Sequence, residues 1–84
     1  MIDQGLAACG HRQTIESTYT WQGDIHRATE TRVSIHTRIA LFDRIAALAK
    51  ERHPYDVPCI IALPITHASV GYTAWVRRST TAKD

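Results

Sequence analysis

The chain has 84 residues, ten Lys and Arg against eight Asp and Glu for a net charge of +2, and is 44% hydrophobic and 21% charged. That balance excludes a disordered polymer and offers no stretch near the ~20 apolar residues that a membrane-spanning helix requires. With Arg77-Arg78 as the densest basic spot, there is no footprint for nucleic acid. A domain of this size buries only about 60% of the surface its unfolded chain exposes, so length alone predicts help from partner chains, a metal or disulfides. Cys9 and Cys59 are too few for a disulfide framework, and the start MIDQGLAAC lacks the cationic and long apolar segments of a secretory signal. A cytoplasmic protein with reduced thiols is the expectation.

In chain order, Gln4 to Ala8 reads as the last turn of a helix or the beginning of a strand, with no helix in front of it. Ser17 to Trp21 (STYTW) is β-branched and aromatic, and Thr31 to Thr37 alternates Val33 and Ile35 with Arg32, Ser34 and His36, so both predict strands. Gln22-Gly23-Asp24 supplies turn chemistry between them, and the pair reads as a hairpin whose second strand either does or does not include Ile25 to Glu30. From Ile39 to Arg52 the apolar set Leu41, Phe42, Ile45, Ala46, Leu48 and Ala49 falls on one helical stripe, ending at His53 because Pro54 disfavours helical geometry before it. Cys59 to Leu63 (CIIAL), boxed by Pro58 and Pro64, predicts a strand covered on both faces. Ser69 reads as the N-cap of a short helix with Tyr72, Trp75 and Val76 on one face, and residues 78–84 as a flexible polar tail. The order strand, strand, helix, strand, helix is α+β, in one domain spanning residues 1–84.

Five histidines and two cysteines raise the question of metal binding, but there is no C-x-x-C, H-x-x-x-H or H-E-x-x-H, so any site is assembled from separate elements or chains. Thiolate and imidazole donors favour copper or zinc. Cys9 and Cys59 lie in apolar stretches where an inert, buried thiol is the ordinary outcome. His36 holds the polar phase of an alternating strand, and His26 and His67 sit in turn-like contexts; all three read as surface side chains. His53 stands apart, at a helix end where the macrodipole favours positive charge, and is either a ligand or a simple cap. The absence of G-x-S-x-G, a Walker loop and G-x-G-x-x-G removes the nucleophile elbow and the phosphate cradle, so no enzyme is expected. Tyr19, Trp21, Tyr55, Tyr72 and Trp75 read as core or interface anchors.

Leu6-Ala7-Ala8-Cys9, Ser17 to Gly23 with its Y-x-W-x-G core, Glu30, Thr37, His53-Pro54-Tyr55, Pro58, Ile60 and Ile61 before Leu63-Pro64, and Tyr72-x-x-Trp75 closely resemble the divalent-cation tolerance (CutA) family, in order from Gly5 to about Arg77. The resemblance implies a ferredoxin-like antiparallel sheet with helices on one face. It further implies a cytoplasmic homotrimer in which hairpins and sheet edges of neighbouring protomers join, with Tyr19, Trp21, Tyr55 and Trp75 as the interface aromatics. Tolerance of divalent metal, and binding of copper and other divalent cations without catalysis, are the implied roles. Family members begin with a strand and a full helix before L-A-A-C, whereas Met1 to Gly5 matches only the end of that helix. The expectation is that the first strand and most of the first helix are missing, through a start placed too far downstream. The copper-associated cysteine of better-known members lies in that strand, and their histidine pair corresponds to Arg52 and His53. Cys59 stands where an acidic residue commonly follows the proline. The implied donors are therefore His53, Cys59 and Cys9, holding Cu(II) or another divalent cation weakly. Gly10 to Glu16 departs from the family pattern.

Two other readings compete. A trimer of this architecture resembles the PII signal-transduction family, with clefts between protomers that suit a small ligand. Alternatively, the trimer is a protein-interaction scaffold presenting the aromatic C-terminal helix, without a metal role.

Overall fold

The computed structural model describes residues 1–52 and 57–82. Its dominant feature is a long antiparallel hairpin, β1 (Cys9–Trp21) and β2 (Asp24–His36), paired without interruption from Trp21↔Asp24 to Cys9↔His36. Gln22 and Gly23 form the two-residue turn with φ of 52° and 85°. Two positive φ values are the pattern whose twist matches the flanking strands, and glycine is the residue that adopts it at least cost. Both strands are longer than their alternating segments predict: β1 runs back through Gly10 to Glu16, and Ile25 to Glu30 belongs to β2. Neither stretch alternates apolar with polar because most of the ribbon faces solvent on both sides, which removes the selection that produces the pattern.

Residues 1–6 form a turn that closes in the way helix C-termini do. The Leu6 amide donates to the Met1 carbonyl at 3.0 Å and the Gly5 amide to the Ile2 carbonyl at 3.1 Å, with Gly5 at φ +71°. This pair of bonds closing on a left-handed glycine is the Schellman arrangement, and the accompanying apolar contact is present, since Met1 packs on the cluster that contains Leu6. The chain then passes into β1, tied by Ala8 N–H to the His36 carbonyl at 2.9 Å and by Thr37 Oγ1 donating to the Leu6 carbonyl at 2.6 Å.

A short 3₁₀ turn, Ile39–Leu41, leads into α1 (Phe42–Arg52). Leu41 and Ile45 of the predicted stripe are buried against Leu6, with Ile35 and Leu48 packed around them, so this small cluster is where the helix meets the strand end. The predicted stop at His53 lies outside the described residues. Helix α2 (Val70–Ser79) is capped as predicted: the Tyr72 amide donates to Ser69 Oγ at 3.3 Å.

Two expectations differ from the structure. Cys59 to Leu63 is not a covered strand: it carries no regular secondary structure, and Ile61 and Leu63 are 72% and 80% exposed. A strand requires a hydrogen-bonding neighbour, and among the described residues the sheet consists of β1 and β2 alone. The chain end also departs from a free tail starting at residue 78. Helix α2 continues to Ser79, Thr80 is 2% exposed, and Arg38 Nη2 donates to the carbonyls of Thr80 and Ala82 at 3.0 and 2.9 Å.

Candidate functional site

Strand geometry places Cys9 and His11 on the same face of β1, because side chains alternate with a period of two. The register sets His36 directly opposite Cys9 and Ser34 opposite His11, so His36 is the cross-strand partner of one and the diagonal neighbour of the other. The side chains meet accordingly. Cys9 Sγ lies 3.7 Å from His11 Nε2, and the imidazoles of His11 and His36 stand edge to face with centroids 5.4 Å apart. Tyr72 reaches this group from the first turn and a half of α2. Its hydroxyl is hydrogen-bonded to His36 Nδ1 and its ring stands at 81° to the imidazole. Desolvation at this junction, then the neighbouring Cys9, holds the Tyr72 phenol above its ordinary value. The result is a partly exposed cluster of one thiol, two imidazoles and one phenol at the open end of the ribbon, away from the Gln22-Gly23 turn.

The sequence nominated other residues. His53 and Tyr55 lie outside the described residues. Cys9 is half-buried, Cys59 is exposed, and both thiols are free. Cys9 has His11 and Tyr72 as its side-chain neighbours. Among the described residues no three His, Cys, Asp or Glu side chains stand where they could hold a metal ion together. Tyr19, Trp21 and Trp75 are 39%, 42% and 38% exposed; Tyr19 stacks on its cross-strand partner His26 at 5.7 Å and Trp75 leans on Tyr72 at 5.5 Å. The sequence assigns His11 no role and reads His36 as a surface side chain; C-x-H in a strand is the signal that puts Cys9 and His11 on one face, and only the hairpin register brings His36 to them.

Fold and site together define a small α+β protein with a thiol, two imidazoles and a phenol gathered at the base of its hairpin. The profile of the CutA1 divalent ion tolerance protein family matches residues 1–79, and the chain belongs to that family. It is 40% identical over 81 residues to "Protein CutA 1, chloroplastic" of rice, covering 95% of this chain and 46% of that protein, so it spans about half the length of that curated relative. It is 33% identical to the divalent-cation tolerance protein CutA of Thermus thermophilus over 95% of this chain and 79% of that one. The structure of the periplasmic divalent cation tolerance protein CutA from Archaeoglobus fulgidus superposes with a TM-score of 0.91 at 32% identity, covering 94% of this chain and 78% of that chain. The fold is thus the α+β, ferredoxin-like one. Among the described residues no helix is long and apolar enough to cross a membrane.

Proposed function

We propose that this protein is a non-catalytic homotrimer of the cytoplasm that confers tolerance to divalent cations by binding them, Cu(II) included, with His53, Cys9 and Cys59 as the donors nominated by sequence and no nucleic-acid or membrane partner. Family membership and the names of the relatives support the cation half of that reading.

The observation that carries the assembly half is surplus surface. A monomeric protein of this mass exposes about 5,000 Å² and has a radius of gyration of about 12 Å. This chain exposes 6,950 Å², with a radius of gyration of 14.9 Å and a longest dimension of 45 Å. Much of the surplus is apolar, from Trp21 at the hairpin tip to Ile61, Leu63 and Ile65 on the extended segment before α2. Large apolar side chains left in water along a thin ribbon favour burial against other copies.

Native mass spectrometry of the chain, metal-free and then with Cu(II), tests both halves in one experiment. A trimer that gains copper is the expected result. A trimer that ignores copper and other divalent cations removes the cation half and favours a ligand-binding or scaffold trimer, and a stable monomer removes the assembly half.

A further inference from the structure

We propose that α2 is a hinged lid over the cluster of Cys9, His11 and His36. Tyr72 latches its N-terminal end to the hairpin, its C-terminal end is the hinge, and release of the latch opens Cys9 to solutes too large to reach it while the lid is down. This goes beyond the cation reading and holds whatever the protein binds.

The two ends of α2 are fastened differently. At the C-terminal end Thr80 is 2% exposed, and Arg38 donates to Thr80 Oγ1 at 2.9 Å and to the Thr80 and Ala82 carbonyls at 3.0 and 2.9 Å. Ala82 packs on the Leu6, Leu41 and Ile45 cluster, and its amide donates to the Gly5 carbonyl at 3.2 Å. That end is tied to the apolar core through several contacts at once. The N-terminal end has no such ties. Residues 61–71 are all exposed, so the segment leading into α2 does not hold it down. Among the described residues, the hydrogen bonds and ring contacts that join residues 70–75 to the hairpin all run through Tyr72. His36 and Arg38, at the end of β2 and just beyond it, therefore hold the latch and the hinge from one short stretch of chain.

Packing does not make up for the difference. Helix α2 has no buried residue, and none of its side chains belongs to the apolar cluster. Burial of apolar surface is the main force that keeps an element from moving alone, and segments with few buried apolar contacts open well below the free energy of global unfolding. What secures the free end is one hydroxyl set between His36 Nδ1 and the Cys9 thiol, with the Tyr72 ring at 81° to the imidazole. A single hydrogen bond of this kind contributes little net free energy, so it breaks far more often than the clamp at Arg38. Because Tyr72 is the residue of α2 in contact with Cys9, the motion that frees the helix also uncovers the thiol.

Labelling of the full chain with dithiobis(nitrobenzoate), a bulky aromatic disulfide, followed by peptide mass spectrometry, reads the two cysteines separately, with the exposed Cys59 as the internal reference. Each rate is divided by that of the same cysteine in the urea-unfolded chain. On that scale Cys9 is expected to react at least about tenfold more slowly than Cys59, yet faster than global unfolding allows. Its rate rises only weakly with urea below the main transition, because swinging one helix exposes little new surface. Tyr72→Phe keeps the ring and loses the hydroxyl, and speeds the labelling of Cys9 about two- to tenfold with Cys59 unchanged. Val70→Ala, at a side chain that is 87% exposed, changes neither rate. Circular dichroism of both variants separates an open lid from a lost fold. In the wild-type chain, Cys9 reacting as fast as Cys59 overturns the lid, and so does labelling of Cys9 that follows the urea dependence of global unfolding. A folded Tyr72→Phe chain that labels Cys9 at the wild-type rate overturns the latch.

Discussion

Arg38 and Thr80, 42 residues apart in sequence, are joined twice: Arg38 Nε donates to Thr80 Oγ1 at 2.9 Å and Nη2 to the Thr80 carbonyl at 3.0 Å, with Nη2 also reaching the Ala82 carbonyl at 2.9 Å. One guanidinium thereby satisfies the carbonyl of Thr80, the C-cap residue of α2, and that of Ala82 beyond it. The fork geometry is what makes this a task for arginine rather than lysine. Hydrogen bonds from a charged donor contribute roughly 1.5–3 kcal/mol each and are not additive, so Arg38→Ala is expected to cost about 2–4 kcal/mol, and Arg38→Lys to recover less than half of it. Urea unfolding monitored by Trp75 fluorescence measures this, and a loss below about 0.5 kcal/mol would sink the clamp.

Gly5 and Gly23 both have positive φ, yet their surroundings differ. A Cβ at Gly5 runs into the Thr81 side chain and comes within 3.0 Å of the Ala82 amide nitrogen, whereas a Cβ at Gly23 meets nothing within 4 Å. Gly23→Ala therefore carries only the conformational cost, about 1 kcal/mol. Gly5→Ala adds a steric clash and strains the Ala82 N–H bond to the Gly5 carbonyl, and is expected to cost at least about 2 kcal/mol. The comparison of the two variants by thermal unfolding is the check. Equal losses would mean that the contact between the first turn and the chain end contributes nothing.

These contacts show which parts of the molecule local sequence encodes. The α1 stripe, the Ser69 cap, the Gln22-Gly23 turn and the helix-like closure at Gly5 are each determined within a few residues, and each is legible. The length of β1 is not, because a ribbon exposed on both faces carries no alternation. Cys59 to Leu63 misleads for the complementary reason: its apolar run meets the composition of a buried strand, but pairing depends on a neighbour that the run itself does not specify. The site shows the same division. Cys9 and His11 are visible as C-x-H once β1 is known, whereas His36 joins them only through the hairpin register and Tyr72 only through the packing of α2. A Cys–His pair separated by one residue means little without knowing that it lies in a strand.

Leu41 is fully buried and Ile45 nearly so, in a cluster with Leu6 that is small for a chain of this size. Truncation there removes a large fraction of the available apolar packing. Leu41→Ala is expected to cost about 3–5 kcal/mol, and Ile45→Val about 1 kcal/mol. Against a total stability on the order of 5–15 kcal/mol, the first change leaves an isolated chain close to unfolded. Denaturant titration at two protein concentrations separates the intrinsic loss from any compensation by assembly, since only the latter depends on concentration. A Leu41→Ala chain as stable as wild type at the lower concentration would show that this cluster is not the core.

Trp21 closes β1 at the hairpin tip, opposite Asp24, and is 42% exposed in the single chain. Nearly half of it is open to solvent at the far end of the ribbon, and a neighbouring copy that covers this surface makes its removal cost assembly. Trp21→Ala is expected to weaken assembly by about 3–5 kcal/mol of subunit contact while shifting the single-chain unfolding midpoint little. Sedimentation velocity over a range of concentrations reads the population of trimer and monomer directly. Tyr19→Ala serves as the internal comparison: Tyr19 stacks on His26 within its own hairpin, so part of its loss is intrinsic and its effect on assembly is the smaller of the two. If Trp21→Ala leaves the distribution of species unchanged, the hairpin tip is not an interface and the apolar segment from Ile61 to Ile65 becomes the surface to test.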